Sequence, residues 1–248
     1  MATYVISDIH GQYDMFMDLL NKISLKNTDI LYVLGDIVDR GPYSIKTLQK
    51  LMQMPNVICV VGNHELMALD GLRFLSTEIT EESVRSIDVH LLEQLADWQL
   101  NGGGPTMEEF RLLAIPMREQ IIDFIMNFSV YEKLTVDGNK FLLVHAGLGN
   151  FDPIKDIEDY SLRDLIWNRT DYEKQYYPDV YVVTGHTPTQ RIKDNPTPGF
   201  IYRKNNHIAI DCGARIPGGR LAAICLDTGE EYYSYTNKGN GQNEFLYQ

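Results

Sequence analysis

The chain has 248 residues, of which 44% are hydrophobic and 23% are charged, enough for one large domain or two small ones. Its formal net charge of −12 argues against nucleic-acid or anionic-membrane binding, because both need basic patches. The three cysteines, Cys59, Cys212 and Cys225, lie in or at the end of apolar runs and show no C-x-x-C spacing. We expect buried free thiols in a reducing compartment.

The first residues run directly into an apolar strand, without the basic segment that opens a signal peptide. No apolar run approaches the length needed to cross a membrane. The cytoplasm is therefore the expected location, and no membrane partner is expected.

Short apolar strands alternate with amphipathic helices in the first quarter of the chain. Strands are predicted at 3–7, 29–34 and 56–61, and helices at about 12–23 and 44–52. This β-α-β-α-β order favours an α/β fold with a parallel sheet and right-handed crossovers.

Residues 66–139 break this alternation. Helices are predicted at 66–75, within 79–100 and at 116–128. The glycines at 102–104, followed by Pro105, form the strongest turn signal in the chain, either as a linker or as a loop close to a ligand. We interpret the region as a helical insertion beside the functional site, within a single domain spanning 1–248.

The strand pattern returns after the insertion. Strands are predicted at 140–144, 180–184 and 207–210, followed by a hairpin from 221–226 to 232–235. The polar tail from Asn237 to the end of the chain is expected to be loose.

Polar residues suited to metal or phosphate chemistry follow five of these strands. In chain order they are Asp8 and His10; Asp36, Asp39 and Arg40; Asn63 and His64; His145; and His186. Read singly, each could be a solvated turn or a structural histidine. Together they offer imidazole, carboxylate and amide donors, which suit Mn, Fe or Zn. These donors exceed the need of one ion, so we expect two ions about 3.5–4 Å apart, bridged by Asp36.

Five segments in this order resemble the motifs of the calcineurin-like metallophosphoesterases. They are Asp8-Ile9-His10-Gly11, Gly35-Asp36-Ile37-Val38-Asp39-Arg40-Gly41, Gly62-Asn63-His64-Glu65, His145-Ala146-Gly147 and Gly185-His186-Thr187. Over about residues 3–214 the chain is similar to the phosphoprotein phosphatase branch in its bacterial and phage form. The resemblance implies a four-layer αββα sandwich of two mixed β-sheets flanked by helices, with the helical insertion between the third and fourth motif-bearing strands.

The resemblance also implies a set of metal ligands and phosphate contacts. One ion would bind Asp8, His10 and Asp36, and the second would bind Asp36, Asn63, His145 and His186. Arg40, Arg169 and Asn63 would contact the substrate phosphate, although Arg169 could instead be a surface residue beside a buried tryptophan. Both ions are expected to be Mn²⁺, with Fe or Zn as alternatives.

A reaction follows from this set of residues. Two divalent ions lower the pKa of a bridging water, so a hydroxide can attack the phosphoryl group directly and no phosphoenzyme is needed. His64, beside Asn63 but not itself an expected ligand, is placed to protonate the leaving alkoxide. Asp39 would hold His64 in the required tautomer.

The leading hypothesis is a phosphomonoesterase acting on phosphoserine and phosphothreonine in proteins. The alternative is a symmetrical dinucleoside polyphosphate hydrolase acting on substrates such as diadenosine tetraphosphate. Asp39 favours the first, because protein phosphatases carry aspartate before this arginine and the dinucleotide hydrolases commonly do not. A metal-loaded binding protein without turnover would require a missing ligand or acid, and none is missing. The expected partner is a phosphorylated protein or a small phosphoester.

Overall fold

The computed structural model describes residues 1–77 and 88–238, which form two five-stranded sheets with helices outside them. The strands are β1 (Thr3–Ile6), β2 (Ile30–Leu34), β3 (Val57–Val60), β4 (Tyr131–Val136), β5 (Asn139–Val144), β6 (Val180–Thr184), β7 (Tyr202–Lys204), β8 (His207–Ala209), β9 (Ala222–Cys225) and β10 (Glu231–Tyr233). The helices are α1 (Tyr13–Ile23), α2 (Ser44–Met52), α3 (Asn63–Ser76), α4 (Val89–Trp98), α5 (Gly104–Arg111), α6 (Ile115–Met126) and α7 (Leu162–Ile166).

Both sheets are mixed, with a parallel centre and antiparallel strands at the edges. The first has the order β10-β9-β1-β2-β3, in which β1, β2 and β3 are parallel. The second has the order β4-β5-β6-β8-β7, in which β5, β6 and β8 are parallel. The predicted sandwich of two mixed sheets flanked by helices is confirmed.

The strands at the centre of each sheet are buried on both faces, which explains their continuous apolar sequences. On β1, Val5 points into the core between the sheets, whereas Tyr4 and Ile6 point toward the helices. On β5, Leu143 lies between the sheets and Leu142 packs on the outer face of the second sheet. This alternation follows from the two-residue period of a strand.

The helical insertion is shorter than predicted at its carboxyl end. Its last residues form β4, which pairs in antiparallel register with β5. The apolar pattern missed β4 and β7 because both are edge strands with polar and half-exposed side chains. The glycine-rich turn is also shorter than expected, because a π-helical turn at Gln99–Gly103 leads directly into α5.

Asn237, where the predicted loose tail begins, is held by backbone hydrogen bonds. The N–H of Asn237 donates to the carbonyl oxygen of Gly219, and its own carbonyl oxygen accepts from Gly218, both at 2.8 Å. Residues 239–248, like residues 79–87 of a predicted helix, lie outside the described residues.

The thiols of Cys59, Cys212 and Cys225 are buried and unbridged, which confirms the prediction made from their apolar surroundings. In the described ranges, none of the helices is both long and apolar enough to span a membrane.

Candidate active site

The residues that follow the strands converge at one edge of the sandwich. Parallel strands end at the same edge of a sheet, so the loops after β1, β2 and β3 meet those after β5 and β6. A cavity at this edge is lined by residues that include His10, Asp36, Arg40, Arg169 and His186. Side chains from motifs far apart in sequence are therefore brought together.

The backbone of these loops is strained. Twelve non-glycine residues in the described ranges have a positive φ, and half of them are candidate site residues. These six are Asp8, His10, Asp36, Asp39, Arg40 and His186, with φ between 46° and 71°. Such left-handed conformations cost roughly 1–3 kcal/mol each and cluster at functional sites, where the surrounding structure enforces them.

Asp36 is the centre of two groups of donors. One group contains His10, Asp36 and His64, the other contains Asp36, His145 and His186, and within each the ligand atoms lie within 4.8 Å of one another. The Nε2 atoms of His10 and His145 lie 3.5 and 3.4 Å from Oδ2 and Oδ1 of Asp36. Asp36 belongs to both groups, as expected of a carboxylate that bridges two ions.

Two of the imidazoles, those of His10 and His145, are held with the unprotonated nitrogen Nε2 facing Asp36. Nδ1 of His10 lies 2.9 Å from the carbonyl oxygen of Val38, and Nδ1 of His145 lies 2.7 Å from that of Leu34. A carbonyl oxygen only accepts, so Nδ1 carries the hydrogen and Nε2 is bare in the neutral ring. Burial lowers the pKa of both histidines, which favours that neutral form. Metal-binding histidines are commonly fixed in this way.

The candidate ligand atoms do not form good hydrogen bonds with one another, as expected of atoms that surround a cation. Nε2 of His145 lies 3.1 Å from Oδ1 of Asn63, so two acceptors face each other. Burial and the charges of Asp211 and Asp36 raise the pKa of Asp8 well above its ordinary value. Buried carboxylates and bare imidazole nitrogens both gain from a divalent ion. The residues present therefore fit two such ions.

Asp8 lies outside both compact donor groups. Its carboxylate accepts the backbone N–H of His186 at 3.1 Å through Oδ1 and at 2.9 Å through Oδ2. This contact ties the end of β1 to the end of β6 and thus joins the two sheets. Burial, followed by the neighbouring His145, lowers the pKa of His186 to about 3, so its ring is neutral at physiological pH.

His64 and Asp39 form a buried pair. Nδ1 of His64 donates to Oδ2 of Asp39 at 2.7 Å, and neither side chain is exposed to solvent. Nε2 of His64 has no hydrogen-bond partner among the described residues and lies 4.0 Å from Oδ2 of Asp36. The pair therefore presents one imidazole nitrogen toward the donor cluster.

The two arginines predicted to bind phosphate both line the cavity. Nη1 of Arg40 lies 2.7 Å from Nε2 of His10, and Nη1 of Arg169 donates to the hydroxyl of Thr187 at 3.2 Å. The neighbouring Trp167 is 37% exposed rather than buried, and Arg169 is itself an exposed residue at the rim of the cavity.

Glu65 is a residue whose role the sequence analysis missed. It is the third residue of α3, and its buried carboxylate accepts the backbone N–H groups of Asp36, Ile37 and Gly62 at 2.7–3.0 Å and that of Val38 at 3.2 Å. Burial and the charge of Asp36 raise its pKa to about 7, while the N–H donors oppose that shift. Glu65 thus ties the Asp36 loop to the start of α3.

The variant Glu65→Gln is expected to lose about 2–4 kcal/mol of unfolding free energy. Its NH₂ group would face two of these backbone donors, and each buried donor left unpaired costs about 1–3 kcal/mol. Urea unfolding of the metal-free protein measures the loss, with the exposed Glu158→Gln as the matched control. An unchanged midpoint in Glu65→Gln would contradict this role.

Three further charged residues of the cavity were also missed. They are Arg191, Asp211 and Arg215. Asp211 lies two residues after the end of β8, so the strand-end signal was present in the sequence but was not given a role. Burial raises the pKa of Asp211 to about 6, which Arg40 and Arg215 oppose.

Comparison with known proteins places this arrangement in a family. Residues 1–210 match the calcineurin-like phosphoesterase family. The chain belongs to the calcineurin-like phosphoesterases. The prediction of this superfamily is confirmed.

Relatives within the family carry two different names. A symmetrical bis(5'-nucleosyl)-tetraphosphatase of Dechloromonas aromatica is 36% identical over 104 residues, which are 40% of this chain and 37% of that protein. Serine/threonine-protein phosphatase 2 of Salmonella typhimurium is 26% identical over 210 residues, 73% of this chain and 86% of that one. The chain spans only about a quarter to two fifths of the length of three such symmetrical tetraphosphatases.

A solved structure confirms the fold. A protein provisionally named a diadenosine tetraphosphatase aligns with a TM-score of 0.67 over 96% of this chain and 95% of its own, at 17% identity. At this identity the likeness extends to the phosphoesterase fold and not to the substrate.

Proposed function

We propose that this phosphoesterase removes phosphate from phosphoserine and phosphothreonine in proteins. The observation that carries the proposal is the buried pair of His64 and Asp39, with Nε2 of His64 directed at the donor cluster. An alkoxide is a strongly basic leaving group, so its departure needs a proton. A fixed general acid is therefore most useful for phosphate esters of alcohols.

Two divalent ions would be held by the residues that the sequence resemblance indicates. Asp8, His10 and Asp36 would hold one, and Asp36, Asn63, His145 and His186 the other. When bound, the ions would supply a nucleophile from water near neutral pH and neutralise charge on the phosphoryl oxygens. We propose Mn²⁺, with Fe or Zn as alternatives.

The protein's own groups bind the phosphate and move the proton. Arg40 and Arg169 would hold the phosphoryl oxygens through charge-assisted hydrogen bonds, and the Asn63 amide would add a further contact. His64, protonated on both nitrogens, would keep Nδ1–H on Asp39 and give the proton on Nε2 to the leaving oxygen. Asp39 fixes the ring so that this proton points at the reacting group.

A second candidate function is symmetrical hydrolysis of a dinucleoside polyphosphate. It is favoured by Arg191 and Arg215, which line the cavity in addition to Arg40 and Arg169. Four guanidinium groups are more than one phosphomonoester needs, and they would suit a chain of phosphates. The leaving group would then be a nucleoside diphosphate, whose departure depends less on a general acid than that of an alkoxide.

The deciding experiment compares kcat/KM for a phosphothreonine peptide and for diadenosine tetraphosphate, after metal is removed and Mn²⁺ restored. We expect faster hydrolysis of the peptide. Asp39→Asn should slow the peptide about 10–100-fold and the dinucleotide much less, because only the alkoxide needs the oriented acid.

Arg191→Ala should leave the peptide rate nearly unchanged, with Arg203→Ala, outside the cavity, as the matched control. Faster hydrolysis of the dinucleotide, weakened selectively by Arg191→Ala, would overturn the proposal in favour of the second function.

Further proposals concern the protein as a whole. We propose that residues 1–248 act as one domain, supported by a hydrophobic core that joins Trp98 and Ile121 of the insertion to Ile6 and Val33 of the first sheet. We propose a cytoplasmic location, which suits the three free thiols. The net charge of −12 supports partners that are phosphorylated proteins or small phosphoesters rather than nucleic acid or membranes.

A further inference from the structure

The carboxylate of Asp39 is held from two directions. His64 binds one side, and two residues of the helical insertion bind the other. The indole Nε1 of Trp98 donates to both carboxylate oxygens at 3.0 Å, and the hydroxyl of Thr106 donates to Oδ1 at 2.8 Å. Asp39, His64, Trp98 and Thr106 all have no solvent exposure. A buried carboxylate needs several donors, and the insertion supplies two of those described.

Two glycines fix the position of the indole. A Cβ atom on Gly71 of α3 would lie 2.3 Å from the Trp98 ring, and one on Gly103 would lie 2.5 Å from Trp98 Nε1. Any larger residue would collide with the ring at either position. The glycine-rich turn after α4 therefore allows a tight enclosure around Trp98 rather than serving as a linker.

The insertion also holds the backbone next to Asp39. The hydroxyl of Thr106 accepts the Asp39 N–H at 3.0 Å and shares it with that of Ser44 at 2.9 Å, and the carbonyl oxygen of Gly102 accepts the Arg40 N–H at 2.8 Å. Both N–H groups belong to residues with a positive φ, which need such restraints to remain in that conformation.

We propose that Trp98 and Thr106 are positioning residues for proton transfer, acting on His64 through Asp39. The inference rests on the proposed general-acid role of His64 and assigns a task to the insertion. Loss of either donor would leave the buried carboxylate with fewer hydrogen bonds, so Asp39 would shift or admit water. The direction of His64 Nε2 would then be less well defined, whereas the metal donors would keep their places.

The kinetic test compares two leaving groups in the full-length, metal-loaded protein. Trp98→Phe and Thr106→Val are expected to lower kcat for a phosphothreonine peptide about tenfold, a fraction of the 10²–10⁴ that general acids contribute. Hydrolysis of p-nitrophenyl phosphate, whose leaving group needs no proton, should change less than about twofold.

Thr106→Ser should restore the peptide rate, and the exposed Thr135→Val is the matched control. Equal losses on both substrates, or none, would overturn the proposal.

A second measurement does not depend on turnover. The chain has two tryptophans, so its indole N–H signals are assigned by comparison with Trp167→Phe. In the Zn²⁺-loaded protein, the Trp98 indole proton should exchange slowly with solvent, and Asp39→Asn should shift it. The downfield Nδ1–H proton of His64 should move in Trp98→Phe. If both proton signals shift in these variants but the peptide is not a substrate, the proposed function fails and the contacts of Trp98, Asp39 and His64 are still supported. If neither signal shifts, the positioning role itself is wrong.

Discussion

Asp36→Asn is expected to abolish turnover and to release both metal ions. Asp36 is the residue shared by the two donor groups, with His10 Nε2 at 3.5 Å from one oxygen and His145 Nε2 at 3.4 Å from the other. Asparagine would present one neutral oxygen and an NH₂ group, which cannot bridge two cations. Because bound ions contribute several kcal/mol to such reactions, the expected loss is at least about 10³-fold in kcat.

The measurement pairs elemental analysis of the dialysed protein with turnover of p-nitrophenyl phosphate, which needs no general acid. Wild type should retain two ions per chain and Asp36→Asn close to none. Asp179→Asn, an exposed aspartate paired with Lys140, is the matched control. One tightly held ion in Asp36→Asn, with much of the activity preserved, would mean that Asp36 serves a single ion and does not bridge.

The donor cluster could be predicted from sequence because of the topology of parallel strands. Each motif follows an apolar run, and the ends of parallel strands lie at the same edge whatever the residues between them. His145 and Asp36 thus lie close in space although 109 positions separate them in the sequence. The same reasoning does not distinguish metal-binding residues from other polar residues at the same edge. Asp211 follows a predicted strand in the same way, yet the sequence alone indicated no role for it.

The surroundings of the cluster could not be predicted in this way, because they depend on packing between distant elements. Trp98 and Thr106 occupy helical positions typical of ordinary core residues, and nothing local indicates that they meet Asp39, 59 and 67 residues earlier. Only the glycines at 102–104 hinted at a close approach. Glu65 was visible within a motif, but its four backbone partners depend on how the loops meet.

The cavity is lined by more basic than acidic side chains, although the chain as a whole is acidic. Four of its 22 lysine and arginine residues line one cavity, although the chain as a whole carries a net charge of −12. The acidic surface alone would repel a phosphorylated substrate, whereas a low-dielectric cleft with arginines, together with the proposed cations when bound, would focus an attractive field at the site.

His64→Asn is expected to retain both ions yet to lose about 10²–10⁴-fold in kcat on phosphothreonine peptides. Asn63 and His145, not His64, are the proposed ligands beside it, so the metal donors remain. What is lost is the proton on Nε2, which an asparagine amide does not replace because it is far too weak an acid. With p-nitrophenyl phosphate the loss should be about tenfold or less, since a nitrophenolate leaves without protonation.

Ion content, measured as for Asp36→Asn, separates this outcome from loss of a ligand. The exposed His90→Asn on α4 is the matched control and should behave as wild type. A His64→Asn protein that lost equal activity on both substrates while keeping two ions would exclude the general-acid role. One that lost an ion would instead make His64 a ligand, which its 4.0 Å distance from Asp36 permits. Nδ1 of His64 donates to the buried carboxylate of Asp39, whereas Nδ1 of His10 and His145 donates to neutral carbonyl oxygens. Asp39 can therefore balance the positive charge that His64 carries as an acid, which favours the acid role.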